Sequence, residues 1–286
     1  MVVDETIGLI RELYGAHLQK ITVDRIIAGI FFTGIKLSSC LAGISYTPVV
    51  EMHQEGGCIH VRGKEKAPFQ IKGAPTHEIL ALKTDDLFIR TVKLVTLNAL
   101  SASFMTPERY RIVEDQDPLD LLDLQRLQNV AMVGVIPPFL KRLKKEPHLN
   151  LHLIERKKDS LAEDEIRLLV PEERIADILP RCDAVIITGA AIANGTIETL
   201  LDLTPEDATV IVAGPTAGFL PDALFARGVS IVSTVTVSDP DRALDLLAEG
   251  NGAFQLFTAK CLRKINILSS AYGLQYQSGM MVNINK

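Results

Sequence analysis

Short apolar segments alternate with helical patterns over the second half of the chain, and this alternation constrains the fold more than any other feature. The strand-like segments span residues 130–135, 149–154, 183–188, 209–213 and 229–235, and the helical patterns span residues 139–143, 172–179, 196–203, 221–226 and 239–248. Strands that alternate with helices predict a parallel sheet with right-handed crossovers. We therefore expect an open α/β sheet in this half of the chain.

The first hundred residues have a different pattern, which predicts a small α+β domain. A helix is expected at 2–14, strands at 23–32, 36–45 and 56–62, a short helix at 78–82 and a long helix at 87–104. An acidic segment with Pro107 and Pro118 breaks the pattern and reads as a connection. The expected division is therefore an α+β domain at 1–105, a connection at 106–125, an α/β domain at 126–268 and a polar tail at 269–286.

Composition excludes several classes of function. A net charge of -5 gives no sign of nucleic-acid or membrane partners. No apolar run reaches the roughly 18 to 20 residues that a membrane span needs. Four cysteines, Cys40, Cys58, Cys182 and Cys261, form no C-x-x-C pair and no signal peptide precedes the first helix, so free thiols in the cytoplasm are expected. The sequence does not determine the oligomeric state, and a homo-oligomer is one possibility.

Two loops between residues 183 and 220 make the best candidate binding site, because ligands of open α/β sheets bind at the carboxyl ends of the strands. In the first loop, Asn194 is expected to cap a helix before Thr196, with Gly195 leaving free amides. The second loop runs from Gly214 through Pro215 and Thr216 to Gly218, and its last two amides are expected to face an anion. Together the loops are suited to binding a carboxylate, a phosphate or a polar small molecule. The alternative for Asn194 is that it only caps the helix and binds no ligand.

The turn after the first strand of the α/β domain disfavours an ordinary NAD enzyme. A dinucleotide fold would read G-x-G-x-x-G here, but only Gly134 is present, and Pro137 and Pro138 have no N–H to offer a phosphate. An equally good interpretation is that the two prolines only begin a helix and have no role in ligand binding. Glu155, about 20 residues after Gly134, stands where nucleotide-binding folds place a ribose-binding acid, although a solvated strand end explains it as well.

Metal ligands are a further possibility. His53, Cys58 and His60 lie close in sequence, and Cys58 and His60 would share one face of a strand. Their spacing matches no structural zinc pattern, and His148 and His152 flank a strand start rather than share a helix face. Surface histidines are the favoured interpretation, and no Ser/His/Asp arrangement is apparent either.

Several segments resemble a bacterial and archaeal family of heavy-metal chelation proteins. The matching segments are VGVIPPF at 133–139, IITGAAIANGT at 186–196, GPTAGFLPDALFARGV at 214–229, TVTVSDPDRAL up to residue 244 and KLVTLNALSA at 93–102. The resemblance implies a domain like the small leading domain of enolase, followed by a Rossmann-like domain, with a site in the cleft between them. It implies that the cleft draws on Gly134, Pro137, Asn194, Thr196, Gly214, Pro215 and Thr216, with Asn98 and Ser101 on the opposite wall.

Three hypotheses about function follow. The first is a protein that binds a transition metal ion or a metal-bearing or polar small ligand in the cleft, as the resemblance implies. The second is an enzyme that uses an adenosine-bearing cofactor such as S-adenosylmethionine, suggested by Gly134 and Glu155. The third is a non-catalytic ligand sensor, suggested by the lack of an acid/base set. Whether any reaction is catalysed is left open by the sequence.

Overall fold

The computed structural model describes residues 1–54, 70–156 and 161–273. Its strands are β1 (Val23–Ala28), β2 (Phe32–Leu37), β3 (Ala42–Tyr46), β4 (Arg111–Glu114), β5 (Asn129–Val133), β6 (Asn150–Ile154), β7 (Ala184–Thr188), β8 (Thr209–Ala213), β9 (Val229–Val237) and β10 (Leu262–Leu268). Its α-helices are α1 (Val2–Tyr14), α2 (Val49–Gln54), α3 (Thr76–Ala81), α4 (Leu87–Ser101), α5 (Pro137–Leu143), α6 (Glu163–Ile166), α7 (Ile175–Ile178), α8 (Ala190–Ala193), α9 (Ile197–Asp202), α10 (Asp222–Phe225), α11 (Pro240–Ala248) and α12 (Ala253–Thr258).

The first part of the chain forms a small α+β unit. Its sheet has the antiparallel order β1-β2-β3, and α4 packs against β2 and β3. The predicted strands at 23–32 and 36–45 are wrong in their bounds, because three shorter strands replace them. Cys40 has a φ of 63°, and its backbone amide donates a hydrogen bond to the carbonyl of Leu37. This turn interrupts the second predicted strand. The strand predicted at 56–62 lies outside the described residues.

The second part contains a seven-stranded sheet of order β4-β10-β9-β8-β7-β5-β6. The five strands from β5 to β9 are parallel, which confirms the predicted alternation, and at one edge β10 pairs antiparallel with β9 and β4 pairs antiparallel with β10. The chain thus has the predicted α/β fold with a small α+β part before it. Because β6 and β7 lie on opposite sides of β5, the strand order reverses there, and such reversals open a crevice beside the carboxyl ends of the strands.

Some elements differ from the sequence-based prediction. The segment 106–125, predicted as a connection, contributes β4 to the large sheet. The helix predicted at 172–179 is broken into a 3₁₀ turn at Glu172–Arg174, the short α7 and a second 3₁₀ turn at Leu179–Arg181. Pro180 lies at the start of that last turn, and a proline has no N–H with which to continue an α-helix.

Helix α4 joins the two parts of the molecule. Val95, Leu97 and Leu100 are fully buried, and they belong to one apolar cluster that also contains Val185 of β7 and Val212 of β8. With the turn after it, α4 is the one helical stretch in the described ranges that is long and apolar enough to cross a membrane. Its burial against both parts of the chain identifies it as a core helix.

Candidate functional site

Three glycines meet at the carboxyl edge of the parallel sheet, at the ends of β5, β7 and β8. Gly134 has a φ of 74°, and a Cβ there would lie 2.3 Å from Cγ2 of Thr188. Gly189 donates its amide to the carbonyl of Ala213, and a Cβ on it would lie 3.1 Å from Cβ of Thr216. Gly214 has a φ of 128°, which disfavours any other residue. The missing side chains let the strand ends and their loops approach each other closely.

Residues from the small α+β unit contact this edge directly. The side-chain amide of Asn98 donates to the carbonyls of Ile44, at 2.8 Å, and Pro215, at 3.0 Å. The hydroxyl of Ser101 accepts from the amide of Leu220 at 3.2 Å. Asn98 and Ser101 are both buried, so the two predicted walls of the cleft touch each other at these positions.

Thr216 completes this contact from the other side. Its hydroxyl oxygen accepts from the amide of Tyr46 at 3.0 Å, and the hydroxyl of Ser45 donates to it at 3.3 Å. Thr216 is 1% exposed. Beside these residues lies a cavity of about 10 Å³, the size of a single water, lined among others by Gly43, Asn98, Pro215 and Gly218. The structure therefore brings Asn98, Pro215 and Thr216 together, and their role in ligand binding stays a prediction.

The prediction of free backbone amides in the two loops is wrong. The amide of Gly195 donates to the carbonyl of Ile192 at 3.2 Å, because α8 adds a helical turn before this loop. In the second loop a 3₁₀ turn uses the amides of Ala217 and Gly218, which donate to the carbonyls of Gly214 and Pro215 at 3.1 Å each. The backbone of these loops therefore has no anion-binding set at the predicted positions.

Asn194 has a different role from the predicted helix cap. Thr196, and not Asn194, occupies the N-cap position of α9, and Asn194 ends α8. The side-chain oxygen of Asn194 accepts from the hydroxyl of Thr196 at 2.7 Å and from its amide at 3.3 Å. This contact fixes the loop, and the amide nitrogen of Asn194 donates no hydrogen bond to the described residues.

The two prolines after β5 begin a helix, which was one of the two interpretations of this turn. Pro137 and Pro138 open α5, where a missing N–H does no harm, and both are exposed. Glu155, just after β6, accepts from the amide of Val135 at 2.9 Å. The carboxylate of Glu155 therefore stabilises the turn that begins at Gly134.

Sequence reasoning missed Arg90, which lies over the loop between α8 and α9. Nη2 of Arg90 lies 2.7 Å from the position that a Cβ on Gly195 would occupy. Gly195 has a φ of 75°, so both the backbone conformation and the available space favour glycine here. Arg90 and Lys93 are the two charged residues within α4, and this was the available sequence signal.

Comparisons with known proteins match both parts of the chain. Two family models, each described as "Putative heavy-metal chelation", match residues 11–101 and residues 117–267. The chain belongs to this heavy-metal chelation family. Members with solved structures have the same fold along nearly the whole chain. A protein of unknown function from Pyrococcus horikoshii covers 94% of this chain, and all of that protein is covered, with a TM-score of 0.75 at 20% identity.

A second family member of unknown function, from Desulfitobacterium hafniense, gives a TM-score of 0.63 at 21% identity, over 92% of this chain and 99% of that protein. An uncharacterized protein of Methanocaldococcus jannaschii is 29% identical over 160 residues, which make up 56% of this chain. The chain spans 59% of that relative's length. These likenesses establish the fold, and the family description supplies the expectation of a metal.

A soft metal ion selects thiolate and imidazole ligands. Within the described ranges no three His, Cys, Asp or Glu side chains are grouped so that they could hold a metal ion. Burial raises the pKa of the Cys182 thiol to about 11, and it also raises that of Cys261, so both are protonated at neutral pH. A protonated thiol is a poor ligand, because metals bind the thiolate. Cys58 and His60 lie outside the described residues.

The described histidines are also unsuited to a shared metal. One ring nitrogen of His148 lies 3.0 Å from the carbonyl of Leu124, and neither His148 nor His152 belongs to a group of three possible ligands within the described ranges. At the carboxyl edge the side chains offer amide and hydroxyl groups, which suit hard cations or polar organic groups better than soft ions. The described residues do not fit a bare heavy-metal ion.

Proposed function

We propose that the protein binds a polar small molecule, or a metal ion that arrives already held in a complex, at the carboxyl edge of the parallel sheet beside the small α+β unit and outside the closed contact of Asn98, Ser101 and Thr216. The observation that carries this proposal is the convergence of Gly134, Gly189 and Gly214 at the ends of neighbouring strands, beside the reversal of strand order at β5. Backbone that approaches this closely without side chains is typical of ligand sites in open α/β sheets. A cytoplasmic location is part of the proposal.

The chemistry of the surrounding groups supports a complexed rather than a bare metal. Thr188, Asn194 and Thr196 offer hydroxyl and amide groups, which hydrogen-bond to organic ligands and to the outer atoms of a metal complex. Soft ions instead select thiolate and imidazole donors. The family description, heavy-metal chelation, is the reason for keeping a metal in the proposal.

Mass spectrometry of the protein purified under native conditions tests the proposal directly. We expect an organic molecule or a metal complex to remain bound, and to be released on denaturation. Calorimetric titration of metal-stripped protein with Ni²⁺, Co²⁺, Zn²⁺ and Fe²⁺ is the matched experiment, and we expect little heat from the bare ions. Tight binding of one of these ions, with no organic molecule retained, would overturn the proposal in favour of direct metal binding.

An enzyme with an adenosine-bearing cofactor is the second candidate, and one observation favours it. Glu155 lies at the end of β6 beside the turn of Gly134, the place from which nucleotide folds contact a ribose. Under this alternative, S-adenosylmethionine or another nucleoside raises the melting temperature of the wild-type protein, and Glu155→Ala abolishes the rise. Our proposal expects no such rise.

A further inference from the structure

Arg90 places a cation at the junction of the two parts of the molecule. Its guanidinium lies over Gly195, with Nη2 2.7 Å and Nη1 3.6 Å from the position of a missing Cβ. A side chain at residue 195 would displace the guanidinium from this position. The glycine therefore provides the space in which Arg90 lies against the loop between α8 and α9.

The donors of this arginine are unused within the part of the chain that the structure describes. The guanidinium of Arg90 donates a hydrogen bond to no carboxylate or carbonyl oxygen of the described residues, whereas the guanidinium groups of Arg109, Arg142 and Arg227 each pair with an aspartate or a glutamate. A guanidinium offers five N–H donors in a planar fork that matches a carboxylate or a phosphate. The fork over Gly195, next to Asn194, is therefore available to an anionic group.

Lys93 and Arg11 add positive charge near Arg90. Lys93 lies one turn along α4, and its ammonium group donates to the carbonyl of Leu82. Burial lowers the pKa of Lys93, and the charges of Arg11 and Arg90 lower it further, while Asp4 opposes them. Arg11 and Arg90 thus both act on Lys93, and Asp4 is the carboxylate that opposes them there, while Asp86 caps α4 four residues before Arg90.

We infer that Arg90, together with the side-chain amide nitrogen of Asn194, binds an anionic group, a carboxylate or a phosphate, on the ligand of this site. The inference rests on the proposed function and names the chemical class of its ligand. Asn194 precedes Gly195, and its oxygen is already held by Thr196, so its nitrogen is the donor that remains. These side-chain donors replace the backbone amides that the two loops use internally.

Anion binding by the full-length protein tests this assignment. The probes are inorganic phosphate and sodium acetate, each compared with sodium chloride at equal ionic strength, and the melting temperature is the readout. We expect phosphate or acetate to stabilise the wild-type protein beyond chloride, and Arg90→Gln to weaken the apparent affinity about tenfold or more. Arg90→Lys should lie between the two, because it keeps the charge and loses the fork.

Arg11→Gln is the matched control, since Arg11 belongs to the same basic cluster but lies on α1. It should respond to phosphate and acetate as the wild-type protein does. The inference is overturned if Arg90→Gln responds like Arg11→Gln, or if neither anion stabilises the wild-type protein more than chloride does.

Mass spectrometry separates this inference from the proposed function. An anionic ligand that co-purifies with the wild-type protein and is lost from Arg90→Gln supports both. A neutral ligand retained equally by both proteins overturns the anionic assignment and leaves the proposed function standing. A wild-type protein that retains no ligand and responds to neither anion counts against both.

Discussion

The side-chain amide of Asn98 donates a hydrogen bond to the backbone carbonyl of Pro215, 3.0 Å away, and so links α4 to the loop after β8. The same nitrogen donates to the carbonyl of Ile44 on β3. One buried amide therefore fixes three elements at the boundary between the small α+β unit and the parallel sheet. Asn98, which the sequence analysis expects to line the ligand site, therefore also stabilises the contact between the two parts of the molecule.

Replacing Asn98 by alanine should lower the free energy of unfolding by about 2–4 kcal/mol, because buried carbonyls lose their donor and a small cavity forms. Urea unfolding measures the change. Asn251→Ala removes a more exposed amide that donates to the carbonyl of Leu246 at 3.1 Å, and it should lose only about 1 kcal/mol. Equal losses in the two variants would show that the boundary contact contributes nothing special.

Gly43 on β3 leaves no room for a side chain. A Cβ there would lie 2.3 Å from the carbonyl oxygen of Val95 and 2.5 Å from the amide nitrogen of Ala99, both backbone atoms of α4. Gly43→Ala should therefore force the sheet and helix apart and lower stability by about 3 kcal/mol or more. Gly8→Ala, in open space on α1, should instead stabilise by about 0.5–1 kcal/mol. Thermal unfolding distinguishes them, and a Gly43→Ala protein as stable as wild type would refute the packing argument.

Periodicity predicted the parts of the fold that depend on local pattern. The parallel strands were found because each is a short apolar run between turns, and α4 was found from its helical spacing. β4 was missed because its four residues lie in a polar segment whose strand character comes from pairing with β10. Pairing partners distant in sequence leave no local pattern from which such a strand can be recognised.

The candidate site was predictable only in outline. The strand-end glycines were visible in the sequence, but the use of the loop amides was not, because the extra helical turn of α8 is formed by only four apolar residues, AAIA. The position of Arg90 over Gly195 depends on how α4 crosses the sheet edge. Such an approach between distant segments is set by packing of the whole core rather than by either segment.

The ion pair between Glu5 and Arg227 should make stability depend on acid pH. The guanidinium of Arg227 hydrogen-bonds the Glu5 carboxylate, at 2.8 Å for one pair of atoms, and lowers its pKa from 4.5 to about 2. A lowered carboxyl pKa stabilises the folded state above the unfolded value, and this contribution is lost as pH falls from about 4.5 to about 2. The stability difference between wild type and Glu5→Gln should therefore shrink over that range. Glu12→Gln, on the same helix, is the control, and a difference independent of pH would contradict the assignment.

The cysteines should differ sharply in reactivity. Cys40 is exposed, while Cys182 and Cys261 are buried and burial raises the pKa of both thiols. In a Cys58→Ser background at neutral pH, a thiol reagent such as dithionitrobenzoate should modify one thiol quickly and the other two only on unfolding, because the thiolate is the reacting form. Rapid modification of two or three thiols in the folded protein would show that the buried sites open readily.

Asn194 and Thr196 allow the structural and ligand-binding roles of their loop to be separated. The hydroxyl of Thr196 donates to the side-chain oxygen of Asn194 at 2.7 Å, so Asn194→Ala and Thr196→Ala both remove this bond, and each should lose about 1 kcal/mol of stability. Only Asn194→Ala also removes the amide nitrogen that we assign to the anionic group. Stabilisation by inorganic phosphate should therefore fall further in Asn194→Ala than in Thr196→Ala at equal loss of stability. If the two variants respond to phosphate alike, Asn194 acts on the loop alone and Arg90 binds without it.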